Sequence, residues 1–309
     1  MNAVVFAYSA IGDRCLRVLH AAGVDVKLVV THADHPGETI WFQRVADTAS
    51  ELGLPVLYAH EVSDPQLPAR MAQAQPDVIF SFYFRDMLPI GLLSLAGKGA
   101  FNMHGSLLPR YRGRAPVNWA VLHGETETGA TLHEMVAKPD AGAIVDQCAV
   151  PILPDDTAWQ VAQKVTVAAE IVLWRSLPGI VAGGYPRRLN DIARGSYFGR
   201  RTPEDGRIDW SRPASEIYNL IRAVAPPYPG AFSDVAGRRL VVGEARLLPP
   251  DAVPAGLAPG LHVIGERIVG ICGDGRAIHV RQLLCHGAQV DRAALSTLLF
   301  QRDHRGELN

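Results

Sequence analysis

The chain of 309 residues contains little cysteine, few aromatic residues and no excess of either charge. Its four cysteines are scattered without a Cys-x-x-Cys pair, a pattern typical of free thiols in a reducing compartment, so the cytoplasm is the expected location. The formal net charge of -1 gives no support to nucleic-acid binding. Hydrophobic residues make up 48% of the chain, which predicts a core large enough to need neither disulfides nor metal.

Signals for export, membrane insertion and dinucleotide binding are also lacking. The N-terminus has no basic segment before its first apolar residues, which predicts a first strand and not a signal peptide. No apolar run approaches the ~20 residues of a membrane span, so no membrane association is expected. The turn after the first strand lacks the Gly-x-Gly-x-x-Gly fingerprint, which argues against a nicotinamide cofactor. The sequence has no P-loop motif either.

Short apolar runs alternate with helical patterns through the first part of the chain, and the first four predicted strands are 4–7, 26–30, 55–58 and 77–81. Gly23 and Gly53 are expected to end the first two helices. This alternation predicts an α/β fold with a Rossmann-like, mostly parallel sheet covered on both faces. The longest helical pattern, 158–177, is expected to stop at Pro178-Gly179. Later β-like runs separated by Gly and Pro predict a small C-terminal β-barrel, OB-like in type. We therefore expect a Rossmann-like domain over residues 1–190, a linker at 191–204 and a β-barrel-like domain over 205–309.

Three polar residues near the middle of the chain are the strongest functional signal. Asn102 and His104 are two positions apart at the end of a predicted strand, so both side chains project to the same face, and Ser106 continues that face. Asp140 follows a little downstream. Acyl transfer requires a donor for a developing oxyanion, a proton shuttle and a group that orients the shuttle. Asn102, His104 and Asp140 could fill these three roles, although an Asn-x-His pair at a strand end is more often a hydrogen-bonded turn.

Other polar clusters leave alternatives open. The aromatic segment 83–84 after the fourth strand is either core or part of a loop over a flat ligand. At least one arginine of segment 110–114 is expected to contact an anionic ligand, because guanidinium forks match phosphate and carboxylate. A metal at His32, Asp34 and His35, or at the cysteines and histidines of segment 272–286, is a minority interpretation. We predict no metal.

The segments 101–116 and 124–144 resemble the signature of formyltransferases that use 10-formyltetrahydrofolate. Segments 81–85, 197–205 and 229–232 are more similar to one branch of that family than to methionyl-tRNA formyltransferase. This branch is the formyltransferase domain of the bifunctional polymyxin-resistance enzyme, which acts on UDP-4-amino-4-deoxy-L-arabinose. That enzyme has a second, oxidative half, which we expect to be a separate protein here because residue 309 is the last of this chain.

The resemblance implies roles for individual residues. Asn102 would stabilise the transition state, His104 would transfer the proton, and Asp140 would favour the protonated form of His104. It also implies that one group of residues contacts the folate: Asp86, Met87, Leu88, Arg114, Val136, Ala137, Lys138, Pro139 and Asp140. The co-substrate would be 10-formyltetrahydrofolate, without a metal.

The resemblance further implies that the formyl acceptor is the amine of a nucleotide-linked sugar, with UDP-4-amino-4-deoxy-L-arabinose expected first. Lipid A modification and polymyxin resistance would follow from that acceptor. Three alternatives use the same residues or ligands: formylation of methionyl-tRNA, hydrolysis of 10-formyltetrahydrofolate, and a sensor that binds nucleotide sugar or folate without turnover. A tRNA acceptor would require a basic face, which the net charge of -1 argues against.

Overall fold

The computed structural model describes residues 1–34, 40–59 and 62–305, and the side chains as far as residue 301. Within it the chain folds into two compact units. The first consists of 1–116, 127–151 and 162–199, and the second of 117–126, 152–161 and the chain from residue 200 onward. The two short segments 117–126 and 152–161 thus group with the second unit, although they lie within the first predicted domain. The predicted domain limits at residues 190 and 205 stay a prediction.

The helices and strands of the N-terminal part alternate in the predicted manner. In chain order they are β1 (Asn2–Ala7), α1 (Ser9–Ala21), β2 (Asp25–Thr31), α2 (Val45–Glu51), β3 (Val56–Tyr58), α3 (Leu67–Ala74), β4 (Val78–Phe82), α4 (Ile90–Leu93), β5 (Ala100–His104), β6 (Arg112–Gly113), α5 (Pro116–Leu122), β7 (Glu127–Glu134), β8 (Ile144–Pro151), α6 (Ala158–Ala182) and β9 (Tyr197–Phe198).

The remaining elements belong to the C-terminal part. They are α7 (Ala214–Val224), β10 (Ala231–Val235), β11 (Arg238–Leu247), β12 (Gly260–Ile264), β13 (Arg267–Ile271), β14 (Ala277–Cys285), β15 (Ala288–Gln289) and α8 (Arg292–Arg305). Two short 3-10 turns lie at Ile192–Arg194 and Pro203–Gly206.

The first unit is built on a seven-stranded sheet of order β3-β2-β1-β4-β5-β7-β8. The strands from β3 to β5 are parallel, whereas β7 and β8 pair antiparallel at one side. Consecutive residues of β1, from Ala3 to Ala7, are all 0% exposed, because helices cover both faces of a parallel sheet. The predicted Rossmann-like sheet is confirmed. Its carboxyl edge carries the ends of β1, β2, β4 and β5.

Two early helices end as their sequences predict. Gly23 has a φ of +71° just after α1, its N–H donates to the carbonyl of His20, and the N–H of Val24 donates to that of Leu19. This is the Schellman arrangement, in which glycine tolerates the left-handed conformation that satisfies the last helical carbonyls. Gly53 ends α2 with the same pair of bonds. Both helices can therefore turn directly into the next strand.

The expected stop of the long helix at Pro178 is wrong, because α6 continues to Ala182 with the proline inside it. Proline removes the donor for the carbonyl four residues earlier, that of Trp174. Both Trp174 and Pro178 are exposed, so water can hydrate this carbonyl and the helix persists. By length and composition alone α6 could cross a membrane, but core helices share that property. Val161, Val165, Ala169 and Val172 are 0% exposed and recur at helical spacing.

The second unit contains an antiparallel sheet of six strands, in which β10-β11-β14-β13-β12 form the main path and β15 pairs with β14. Its buried positions alternate along β11 and β14, for example at Leu240, Val242, Ile278 and Val280. The predicted α/β fold with a small C-terminal β domain is confirmed.

Candidate active site

The end of β5 carries Asn102 and His104 into one polar cluster. Phe101 and Met103, which alternate with them along the strand, are 0% and 1% exposed and pack into the core. Asn102 lies opposite His133 of the antiparallel strand β7, and His104 lies opposite Thr131. The alternation of β5 therefore directs its apolar residues into the core and its two polar residues to the same group of side chains.

The Asp140 carboxylate lies within ion-pair distance of two imidazoles. Its Oδ1 is 3.6 Å from Nδ1 of His104 and 3.5 Å from Nε2 of His133. Its Oδ2 accepts a 2.9 Å hydrogen bond from the backbone N–H of Gly113. Asn102 joins the cluster through His133, since its Nδ2 is 3.1 Å from the ring Nε2. The structure thus brings Asn102, His104 and Asp140 together, and His133 connects the amide with the carboxylate.

The environment of Asp140 holds its pKa well below the ordinary range. Burial of the carboxylate acts in the opposite direction and raises the pKa, but other contributions exceed it. They are the charge of His104, the hydrogen bond and charge of His133, and the N–H of Gly113. Asp140 is therefore ionised at neutral pH.

The loop that presents Asp140 is fixed by its backbone. Asp140 has a φ of +48°, a left-handed conformation that Asp tolerates better than most residues. The amide of Asn190 donates 3.0 Å hydrogen bonds to the carbonyls of both Asp140 and Gly142. A side chain at Gly142 would collide with the carbonyl of Glu134. These contacts hold the carboxylate towards the imidazoles.

The backbone partners of the two histidines determine where their protons lie. Nε2 of His104 is 2.8 Å from the carbonyl oxygen of Tyr111, and Nδ1 of His133 is 2.8 Å from that of Glu134. A carbonyl only accepts, so each of these nitrogens carries a hydrogen. The nitrogen that gains or loses a proton is consequently Nδ1 in His104 and Nε2 in His133. A neutral His133 accepts from the Asn102 amide and sets its orientation.

His133 is a member of the site that the sequence pattern did not predict. It lies within the motif segment 124–144. Because His133 is two residues after Thr131 on one strand, both side chains project to the same face, and this alternation could have identified His133 as a polar residue of the site. What the sequence did not reveal is the antiparallel register that places His133 opposite Asn102. The partner is 31 residues away, and a sheet of entirely parallel strands would not make this pair.

Ser106 has a structural contact in this structure. Its hydroxyl donates a 2.6 Å hydrogen bond to the carbonyl of Arg110. Thr131 donates a 2.6 Å hydrogen bond to the carbonyl of Ser106 and accepts one from the N–H of Leu108. A Cβ at Gly105 would overlap the hydroxyl of Tyr83. The loop after β5 is thus folded tightly under the polar cluster.

The residues expected to contact folate lie in three places in the first unit. Asp86 has a buried Oδ2 that accepts no hydrogen bond from the part of the chain that the structure describes. Met87 is 53% exposed, and Leu88 packs into the core with 7% exposure. Arg114 is exposed and donates to the carbonyl of Arg85, which joins this loop to the segment after β5. The segment 136–138 is exposed, whereas Pro139 and Asp140 are half-buried. Among residues 86–88, Leu88 alone packs its side chain into the core, so it can offer a ligand only its backbone groups.

The aromatic pair after β4 belongs partly to the core. Phe84 packs against Phe6, with ring centroids 5.3 Å apart, and stacks on His32 at 4.0 Å. Nε2 of His32 accepts from the backbone N–H of Arg85. His32 is therefore engaged in loop hydrogen bonding, and His35 lies outside the described residues. Across those residues, no three His, Cys, Asp or Glu side chains form a group that could hold a metal.

Known proteins are similar to this chain over most of its length. Residues 3–177 match the family described as formyl transferase, and residues 200–292 match the formyl transferase C-terminal domain. An N-formyltransferase from Helicobacter canadensis, in complex with folinic acid and dTDP-3-aminofucose, has a TM-score of 0.71 at 20% identity, covering 91% of this chain and 98% of its own. The sugar 3N-formyltransferase WlaRD, with dTDP and 5-N-formyl-THF, has a TM-score of 0.71 at 18% identity, covering 93% and 98%.

A longer protein contains the same fold. HypX from Aquifex aeolicus, in complex with tetrahydrofolic acid, has a TM-score of 0.65 at 17% identity, covering 96% of this chain and 46% of its own. At these identities the likeness to solved structures establishes the fold, while the family matches span both units. The chain belongs to the formyltransferase family.

Proposed function

We propose that this formyltransferase transfers the formyl group of 10-formyltetrahydrofolate to the amine of a nucleotide-linked amino sugar. The observation that carries the proposal is the meeting of Asn102, His104 and Asp140 at the carboxyl edge of the sheet. The finer proposal is that the acceptor is UDP-4-amino-4-deoxy-L-arabinose, which rests on the sequence resemblance. Lipid A modification and polymyxin resistance would be its consequences.

Asn102 is suited to stabilise an oxyanion. Its NH2 group has two hydrogens, and one is directed at Nε2 of His133, 3.1 Å away. The other remains for the formyl oxygen, on which negative charge develops when an amine adds to the carbonyl carbon. A single donor of this kind typically raises the rate by roughly 10²–10³. Because His133 holds the amide, little reorganisation is needed during the reaction.

His104 is suited to move one proton. Formyl transfer joins the acceptor amine to the formyl carbon and breaks the bond to N10 of the folate, while one proton passes from the amine to N10. Nε2 of His104 is held by the carbonyl of Tyr111, so Nδ1 is the atom that accepts and returns this proton. Asp140 lies 3.6 Å from Nδ1 and stabilises the imidazolium that forms.

The proposed folate contacts agree with the surface around Asp86. A buried carboxylate oxygen without a protein partner is costly, and a ligand N–H would satisfy it. The amino and ring N–H groups of a pterin are such donors. Asp86 and the exposed segment 136–138 are therefore the proposed places for the pterin, with Leu88 contributing its backbone and Arg114 closing the loop.

The direct test is a transfer assay read by mass spectrometry. The protein is incubated with 10-formyltetrahydrofolate and, in separate reactions, with UDP-4-amino-4-deoxy-L-arabinose, a dTDP-linked 3-amino sugar, charged initiator tRNA, or buffer alone. A nucleotide sugar that gains the mass of one formyl group supports the proposal. Formylated methionyl-tRNA would establish the tRNA alternative, and formate released in buffer alone would establish the hydrolase. Tight ligand binding without any product would support the sensor.

A further inference from the structure

The three arginines of segment 110–114 have different environments. The guanidinium of Arg110 lies over the ring of Tyr111, 5.8 Å from its centroid. Arg114 is exposed and donates to the carbonyl of Arg85. Arg112 is only 8% exposed. Arg112 is thus the one buried arginine of this segment, and its burial requires an explanation.

Arg112 has no anionic partner among the described residues. Its backbone N–H donates to the carbonyl of Ser196, and its guanidinium lies 5.8 Å from the ring centroid of Tyr197. Its Nε is buried and forms no hydrogen bond to any residue that the structure describes. Arginine does not lose its proton inside a protein, and a buried charge without a partner is unfavourable. An anion from outside the chain would remove this penalty.

The position of Arg112 joins it to the candidate active site. The residue before it, Tyr111, accepts a 2.8 Å hydrogen bond from His104 through its carbonyl. The residue after it, Gly113, donates a 2.9 Å hydrogen bond to Asp140. Arg112 therefore lies one residue from each of two contacts with the polar cluster. Gly113 has a φ of +94° and no space for a Cβ beside the carbonyl of Phe198, so this backbone is tightly constrained.

We propose that Arg112 binds a phosphate or carboxylate oxygen of a substrate at this site. The identity of that substrate rests on the proposed function, which supplies two sources of such an oxygen: the diphosphate of the nucleotide sugar and the glutamate carboxylates of the folate. The planar fork of arginine can bind either with two parallel N–H···O bonds. Because Arg112 is buried, little water competes with the anion. Replacing the guanidinium group should therefore weaken binding of the anion markedly.

The test measures binding and stability in the same variants. Arg112→Met removes the charge, and Arg112→Lys keeps the charge without the fork. The matched control is Arg222→Met. Arg222 is also buried, at 6% exposure, and its Nε likewise forms no hydrogen bond to the described residues, but its Nη1 donates to the carbonyl of Asp156 at 2.8 Å and its Nη2 to Oδ1 of Asn219 at 2.6 Å. Calorimetry gives the Kd of UDP and of 5-formyltetrahydrofolate separately, and thermal unfolding gives the Tm.

For Arg112→Met we expect the Kd of one ligand to rise by about 10- to 100-fold, with Arg112→Lys in between. The Tm of Arg112→Met without ligand should be unchanged or higher, because an unpaired buried charge has been removed, whereas that of Arg222→Met should fall. Weaker binding of UDP identifies the diphosphate, and weaker binding of the folate identifies a carboxylate.

Unchanged Kd values for both ligands would overturn the inference, most clearly if the Tm of Arg112→Met also fell, since Arg112 would then be structural. Wild-type protein that binds neither ligand would overturn it too. The proposed function fails independently of this result, when wild-type protein binds its ligands but formylates no amino sugar.

Discussion

Two histidines lie at the carboxyl edge of the same sheet and are almost equally buried, His32 at 9% exposure and His104 at 6%. His32 follows β2, stacks on Phe84 and accepts from the N–H of Arg85. His104 ends β5, donates to the carbonyl of Tyr111 and faces Asp140 at 3.6 Å. One imidazole contacts an aromatic ring and accepts a hydrogen bond, and the other donates a hydrogen bond and faces an ionised carboxylate.

The comparison shows that position at a ligand-binding edge does not by itself give a histidine chemistry. Both rings are where ligands of parallel sheets commonly bind. The difference comes from the second partner of each ring. His32 contacts the ring of Phe84 and accepts from a backbone N–H, whereas His104 faces the ionised carboxylate of Asp140.

His104→Gln is expected to have the largest effect on turnover, and it tests this difference directly. Glutamine can occupy the same volume and hydrogen-bond to its neighbours, but it cannot accept a proton at the working pH. We expect kcat to fall by about 10²–10⁴, measured by formyl transfer under saturating substrates, with the fold retained by circular dichroism. A variant with normal kcat would remove His104 from proton transfer.

The next effect is expected for Asn102→Ala. Removing the amide takes away the proposed oxyanion donor, so kcat should fall by about 10²–10³. Phe101 and Met103 keep their core positions, so the Tm should change little. The Kd of 5-formyltetrahydrofolate serves as the control. If this Kd rose as much as the rate fell, Asn102 would be a binding residue and not an oxyanion donor.

His133 sharpens the comparison because it acts on the site through another residue. His133→Ala should lower kcat by about tenfold or more, since the amide of Asn102 is no longer oriented. In the background of Asn102→Ala, the same change should have much less effect, because the two residues share one function. His133→Gln, which can still accept from the amide, should recover part of the rate. Additive effects of the two alanine variants would contradict the positioning role.

The pH dependence of stability tests the charge of Asp140. Its folded pKa lies below the ordinary value, so its ionised form contributes stability above the pKa of an unfolded Asp, about 3.9. This contribution is lost as the pH falls from about 4 through the folded pKa. Chemical denaturation at several pH values should show a steeper acid-side decline for wild type than for Asp140→Asn. Parallel declines would show that the carboxylate is not preferentially ionised in the folded state.

The smallest effect on turnover is expected for His32→Gln, the match to His104→Gln. Glutamine can accept from the N–H of Arg85 in place of Nε2, while the stack on Phe84 is lost. We expect unchanged kcat and a loss of about 0.5–1.5 kcal/mol in the free energy of unfolding, measured with urea. A large loss of kcat would mean that the two histidines are not as different as their surroundings indicate.

Much of the first unit followed from local patterns in the chain. The apolar runs predicted β1, β2 and β4, and the glycines after α1 and α2 predicted where those helices end. Pro178 was the clear failure, because a local rule for proline does not include a helix face where water can hydrate the freed carbonyl. Local rules describe a segment alone, whereas the length of α6 depends on its surroundings.

For the site, the sequence by itself determined the residue types and the face they share: Asn102 and His104 alternate with Phe101 and Met103, and Asp140 follows in the same motif. Only the tertiary structure decided their partners. It placed His133 opposite Asn102 by antiparallel pairing, and it buried Arg112 between the backbone groups that bind His104 and Asp140. The physical reason is that alternation is set by neighbouring residues of one strand, whereas register and burial are set by segments distant in the chain.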